Sequence, residues 1–132
     1  MAQTVTPRKV VWKHLRDDPA VSALVGDRVY YQMRPDGAAY PCIVINTISD
    51  VPQRDLNGRS WTETRLQITA MATTEPSAEA VAKTIQDSLD GFFGVMAGAL
   101  HVMSCLVVNT VPMFQDESGQ THYHVDVVIT HR

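Results

Sequence analysis

The chain has 132 residues, of which 45% are hydrophobic and 19% are charged. These values are typical of one globular domain, here residues 1–132, and they exclude an intrinsically disordered chain. The formal net charge is −3 and no apolar run approaches the roughly 20 residues of a membrane span, so neither bulk attraction to nucleic acid nor a membrane partner is indicated.

Three segments predict helices. Thr6-Pro7 and Asp18-Pro19 each place a capping residue before a proline, which suits the first helical position. The first helix should end near Asp17 and the second at Gly26. A third helix should follow Thr73 or Thr74 and end at Gly91 or Gly94, because its apolar residues recur at helical spacing: Ala78, Val81, Ala82, Ile85 and Leu89.

The remaining apolar segments predict strands in a sheet. The segment Asp50–Ser60 is polar and contains Asn57-Gly58, so it predicts a long hairpin loop. The element order α-α-β-β-β-α-β-β predicts an α+β fold: a mostly antiparallel sheet built from two hairpins plus a short strand, with helices packed on one face. The predicted strands are Arg28–Gln32, Pro41–Ser49, Thr62–Ala72, 100–109 with an extension to 114, and Thr121–Thr130.

The sequence contains none of the common phosphate-binding, zinc or nucleophile motifs. The best cluster is His122, His124 and Asp126, which a strand projects from one face, with His131 on the opposite face. Three such ligands hold zinc only when a fourth joins them. The favoured interpretation is a polar surface, so we predict no enzyme, catalytic residue, metal or cofactor; a metal-dependent enzyme is the alternative.

The two cysteines, Cys42 and Cys105, both lie in apolar, strand-like runs. We expect small buried thiols of a protein made in a reducing cytoplasm, and the sequence leaves a disulfide open.

Several local strings resemble the tail terminator (tail completion) family of long-tailed bacteriophages and related gene transfer agents. The strings are Asp18-Pro19-Ala20-Val21 and Leu24-Val25-Gly26-Asp27-Arg28-Val29-Tyr30, preceded by Leu15, then Tyr40-Pro41-Cys42-Ile43-Val44 and Arg65-Leu66-Gln67-Ile68. The resemblance covers roughly residues 10–95, and the terminal hairpin stands in the expected place.

The resemblance implies a structural virion protein that caps the completed tail tube as a ring, usually a hexamer. Its partners are then other copies of itself, the tail tube protein and a head–tail connector or stopper, with DNA passing through the ring. It is assembled in the host cytoplasm and lies at the head-proximal end of the tail. Another neck or head–tail joining protein is the nearest alternative. A small-ligand binding module is a further one.

A ring needs two different patches that fit each other on every subunit. Long loops often carry contacts, and tryptophan is enriched at interfaces. Trp12 stands beside a basic helix face of Arg8, Lys9, Lys13 and Arg16. The candidate contact residues are therefore Trp12, Asp50, Arg54, Asp55, Leu56, Arg59, His122 and His124.

Overall fold

The computed structural model describes residues 6–31, 33, 35, 37, 39–58, 60–115 and 119–132, with the backbone alone at 112–115. Among these residues the elements are helices α1 (Pro7–Asp17), α2 (Pro19–Val25) and α3 (Glu75–Leu89), and strands β1 (Val29–Tyr31), β2 (Cys42–Arg54), β3 (Ser60–Ala72), β4 (Gly94–Met96), β5 (Leu100–Gln115) and β6 (Thr121–His131). The α+β class is confirmed.

The helices begin where the capping residues predict. The side chains of Thr6, Asp18 and Thr74 accept hydrogen bonds from backbone N–H groups in the first turns of α1, α2 and α3. Each cap satisfies a donor that a helix leaves without an internal partner. A proline follows within the first two helical positions in all three cases.

The six strands form one mixed sheet in the order β1-β2-β3-β6-β5-β4. β1 pairs parallel with β2, and the other neighbouring strands pair antiparallel. Register shifts interrupt β2 once and β5 three times, which indicates local bulges that increase the strand twist.

The core lies between the helices and one face of the sheet. Alternate residues of β3 and β6, such as Leu66, Ile68, Val125 and Val127, are fully buried there. They meet apolar side chains of the helices in a single cluster, to which α1 contributes Val10, Val11 and Leu15 and α3 contributes Val81, Ala82, Ile85 and Leu89. We call the opposite side the open face.

Two details of the predicted sheet are wrong. The segment Asp50–Ser60 is not one long loop, because β2 continues to Arg54 and β3 begins at Ser60. This distal part of the hairpin is exposed on both faces, so its side chains need no apolar–polar alternation and the sequence lacks the usual strand signal. The prediction also lacks β4, which has only three residues. Gln32 and residues 116–118 of the predicted final turn lie outside the described residues.

Candidate assembly surfaces

The β2–β3 hairpin projects beyond the rest of the sheet. The last β3 residue paired with β6 is Thr62, opposite His131. The hairpin continues past this point with the pairs Gln53–Trp61 and Arg54–Ser60, and we call residues 53–58 with Ser60 and Trp61 the hairpin tip. A two-stranded projection cannot bury much apolar surface, so it is available for contacts with other chains.

The turn at the hairpin tip is held by local hydrogen bonds. The backbone N–H of Asn57 donates to Asp55 Oδ1 at 2.9 Å, and that of Gly58 donates to the Asp55 carbonyl at 3.2 Å. Gly58 has φ +80°, a conformation that glycine adopts without steric cost. The turn presents Leu56 with its side chain fully exposed. Of the predicted contact residues, Arg54, Asp55 and Leu56 therefore lie together, and Arg59 lies outside the described residues.

Asp50 lies at the base of this projection. The hydroxyl of Thr64, which is fully buried, donates to Asp50 Oδ1 at 2.6 Å. Thr64 Oγ1 also lies 2.9 Å from His131 Nε2, and because its own proton goes to Asp50, this hydroxyl oxygen accepts a hydrogen bond from His131. Burial lowers the pKa of His131, and the nearby Asp50 carboxylate opposes this shift. Hydrogen bonds thus link Asp50 of β2, Thr64 of β3 and His131 of β6. Through Thr64, Asp50 helps to hold the hairpin against the rest of the sheet.

His122 and His124 lie on the open face. They line a shallow groove of about 270 Å³ with residues of β2 and β3 that include Asn46, Gln67 and Thr69. The His124 Nδ1 atom is 2.8 Å from Thr69 Oγ1. Burial lowers the pKa of His124; His122 lowers it further, and Asp126 opposes the shift.

Asp126 is directed toward an arginine. Its Oδ2 atom accepts a hydrogen bond from Arg65 Nη2 at 2.9 Å, and the residue is 8% exposed. Among the described residues no group of three or more histidine, cysteine or acidic side chains is arranged to hold a metal ion. The open face thus presents imidazole, hydroxyl and amide groups together with an ion pair between the buried Asp126 and the partly exposed Arg65, an arrangement suited to polar contacts.

Trp12 connects α1 to β1. Its indole N–H donates to the Val29 carbonyl at 2.7 Å, and its ring lies against Tyr31, with 5.7 Å between ring centroids. The guanidinium groups of Arg16 and Arg8 lie 4.8 Å and 5.0 Å from the ring centroids of Trp12 and Tyr31. The half-buried Trp12 therefore has a packing role within the chain, and its contact with a partner stays a prediction.

The sheet has two long edges, and few of the predicted contact residues lie on them. β1 covers β2 at Ile43–Ile45 alone, and β4 covers β5 at Leu100–Val102 alone. Beyond those stretches the outer edges of β2 and β5 pair with no further strand among the described residues. Exposed apolar side chains stand along them: Ile48 and Val51 on β2, and Met103, Leu106, Val108 and Val111 on β5.

No residue of the β5 edge is among the predicted contact residues, although the sequence carries a signal for this edge. No aspartate, glutamate, lysine or arginine occurs between Asp90 and Asp116. Exposed edge strands usually carry charges, because charges prevent unwanted pairing with another chain. An uncharged strand with exposed apolar residues is instead typical of a surface that becomes covered.

None of the helices within the described ranges has the length and hydropathy of a membrane-spanning segment. The fold, with its projecting hairpin and two open edges, is suited to assembly.

Residues 9–132 match the family model described as tail completion protein gp17. Since this match spans nearly the whole chain, the chain belongs to the tail completion protein gp17 family. It is a structural protein of the virion tail. No curated protein matches the chain.

A similar fold occurs in a chain from a solved structure described as the virion of a native gene transfer agent particle. The TM-score is 0.77, the sequence identity is 18%, and the alignment covers 96% of this chain and 95% of that chain. At this identity the likeness shows a shared fold, and the family assignment rests on the model match.

Proposed function

We propose that this protein caps the completed tail tube as a ring and joins the tail to the head connector or stopper, with DNA passing through the ring. The observation that carries the proposal is the family match over residues 9–132. The whole chain, residues 1–132, then acts as one domain at the head-proximal end of the tail, without catalysis.

The geometry supports such an assembly. A ring contact joins two different patches of each subunit, and the outer edges of β2 and β5 are two different patches of one sheet. The hairpin tip provides a third surface, which is suited to a neighbour above or below the ring. The metal-dependent enzyme gains no support, because Arg65 and Thr69 already bind the Asp126 and His124 side chains.

The test is a reconstitution with tail tubes purified from particles that lack this protein. We expect the purified chain to form a closed ring of about six copies, either alone or on addition of tubes. Native mass spectrometry gives its mass, and electron microscopy shows it at one end of each tube. A chain that remains a monomer or dimer with tubes present contradicts the proposal.

A pair of variants examines the hairpin tip. Leu56→Ser removes the fully exposed apolar side chain of the turn, and we expect weaker attachment of the ring to tubes or connectors with unchanged thermal stability. Phe93→Ser is the matched control, since Phe93 is also apolar and 79% exposed but lies just before β4. Equal attachment by both variants excludes Leu56 from the contact.

A further inference from the structure

The outer edge of β5 is divided into a covered part and an open part. The carboxylate of Asp90 accepts a hydrogen bond from the Val107 N–H at 3.0 Å, and the Cys105 carbonyl accepts one from the Gly91 N–H at 2.7 Å. The segment that follows α3 therefore covers β5 up to Val107. From Val108 onward no described residue pairs with this edge.

The open part of β5 has the uncharged, β-branched composition of a buried strand, although its side chains are exposed. Val108 and Val111 are 49% and 39% exposed, and Asn109 and Thr110 between them are uncharged. Backbone donors and acceptors along such an edge are a template for pairing with another chain. Among the described residues, neither a charged side chain nor a covering element lies on this edge, and the register shifts at Val107–Asn109 and Val111–Phe114 limit pairing to a short stretch.

The outer edge of β2 is its counterpart at the other side of the sheet. β1 covers β2 to Ile45, and Asn46–Arg54 continue without an outer neighbour among the described residues. Ile48 and Val51 are 53% and 46% exposed there. Both edges thus present unpaired backbone and exposed β-branched side chains, which pack well in sheets.

The charged groups nearest the two edges have opposite sign. α1 contains four basic residues and one acidic residue, and its Arg8 lines a cavity with Thr47 and Asp50 of β2. α3 and the adjoining Asp90 together contain four acidic residues and one basic residue, and the Asp90 carboxylate accepts a hydrogen bond from β5. α3 itself packs mainly on β3 and β6, so the acidic group at the β5 edge is Asp90, which faces the basic α1 side of the next copy when the β5 edge of one copy meets the β2 edge of the other.

We propose that the open edge of β5, at Val108–Val111, binds the outer edge of β2, at Ile48–Val51, in a neighbouring copy of this chain. This contact rests on the proposed ring, and it specifies the surfaces that form it. It is head-to-tail, so each copy uses its β2 edge toward one neighbour and its β5 edge toward the other.

The experiment cross-links the two edges in assembled protein. A double variant, Val51→Cys with Val108→Cys, is treated with a flexible bis-maleimide, which tolerates an offset of one or two residues. The native Cys42 and Cys105 are fully buried and so do not compete. We expect covalent oligomers up to the full ring from the double variant, and only monomers or dimers from each single variant.

A second pair of variants tests the same edge without cross-linking. Val108→Lys places a charge on the proposed contact, and we expect at least a tenfold loss of ring affinity. Leu24→Lys is the control, because Leu24 is an exposed apolar residue of α2, which packs on α1 and α3, and its replacement should leave the ring intact. Circular dichroism confirms that both variants fold.

The outcomes separate this inference from the proposed function. If the wild-type protein forms rings and the double variant assembles but does not cross-link, the edge contact is overturned and the ring proposal stands. A Val108→Lys variant that still forms rings but no longer binds tubes overturns it as well, because the edge then serves the tube. Wild-type protein that forms no ring under any condition overturns both proposals.

Discussion

Thr64 provides a sharp test of how the projecting hairpin is held. Its hydroxyl is fully buried, donates to Asp50 and accepts from His131. Thr64→Val keeps the shape of the side chain but removes both hydrogen bonds. Each bond contributes roughly 1 kcal/mol, since Asp50 is exposed and water replaces part of its bond. We expect the free energy of unfolding to fall by about 2 kcal/mol.

The assay is urea unfolding at neutral pH, with Thr62→Val as control. Thr62 lies two residues away on β3 and makes no side-chain hydrogen bond to another described residue, so its replacement should change the free energy of unfolding by less than about 0.5 kcal/mol. Asp50→Asn, which keeps an acceptor oxygen, should cost less than Thr64→Val. Equal effects of Thr64→Val and Thr62→Val would refute the structural role of this hydroxyl.

Three further predictions concern ionisable groups. The pKa values of His124 and His131 are lowered in the folded protein. As the pH falls below about 6.5, the unfolded chain therefore binds protons before the folded one, and the free energy of unfolding should fall. Urea unfolding between pH 8 and 5 checks this, and His124→Gln should make the free energy of unfolding less dependent on pH. Burial, with a smaller contribution from Asp90, raises the pKa of the Cys105 thiol to about 12, so a thiol reagent at pH 8 should label Cys105 only after unfolding. Arg65→Met leaves the Asp126 carboxylate buried without its partner and should lower the free energy of unfolding by roughly 1–3 kcal/mol, measured by thermal or urea unfolding. Asp126→Asn should lower it less, and equal losses from the two variants would contradict the pairing.

The helices could be predicted from the sequence because their signals are local. A capping side chain, a proline and apolar residues at helical spacing all lie within a few positions of each other, as Thr6-Pro7 and Asp18-Pro19 show. The strands with one buried face could be predicted for the same reason, since Leu66, Ile68 and Ala70 alternate with more exposed residues. The exposed distal hairpin has no such alternation, so its sequence predicts a loop.

The candidate site was only partly predictable, because its contacts depend on strand register. The sequence places His122, His124 and Asp126 on one face of a strand, which the open face confirms. It does not reveal that Asp126 binds Arg65 or that His124 meets Thr69, since those partners are more than 50 residues away in the chain. These two contacts weaken the metal-site interpretation, and only the pairing of β3 with β6 creates them.

The bulges in β5 are compatible with the contact proposed at its open edge. β5 has register shifts between Val107 and Asn109 and between Val111 and Phe114, so its regular stretch near the open edge is short. Bulges bend and twist a strand, which limits how far a second strand can follow it. A flat edge with the same side chains would permit open-ended pairing and fibres. In the proposed assembly, a short and twisted edge limits each copy to one brief contact at a fixed rotation, and a head-to-tail contact closes a ring only when that rotation closes.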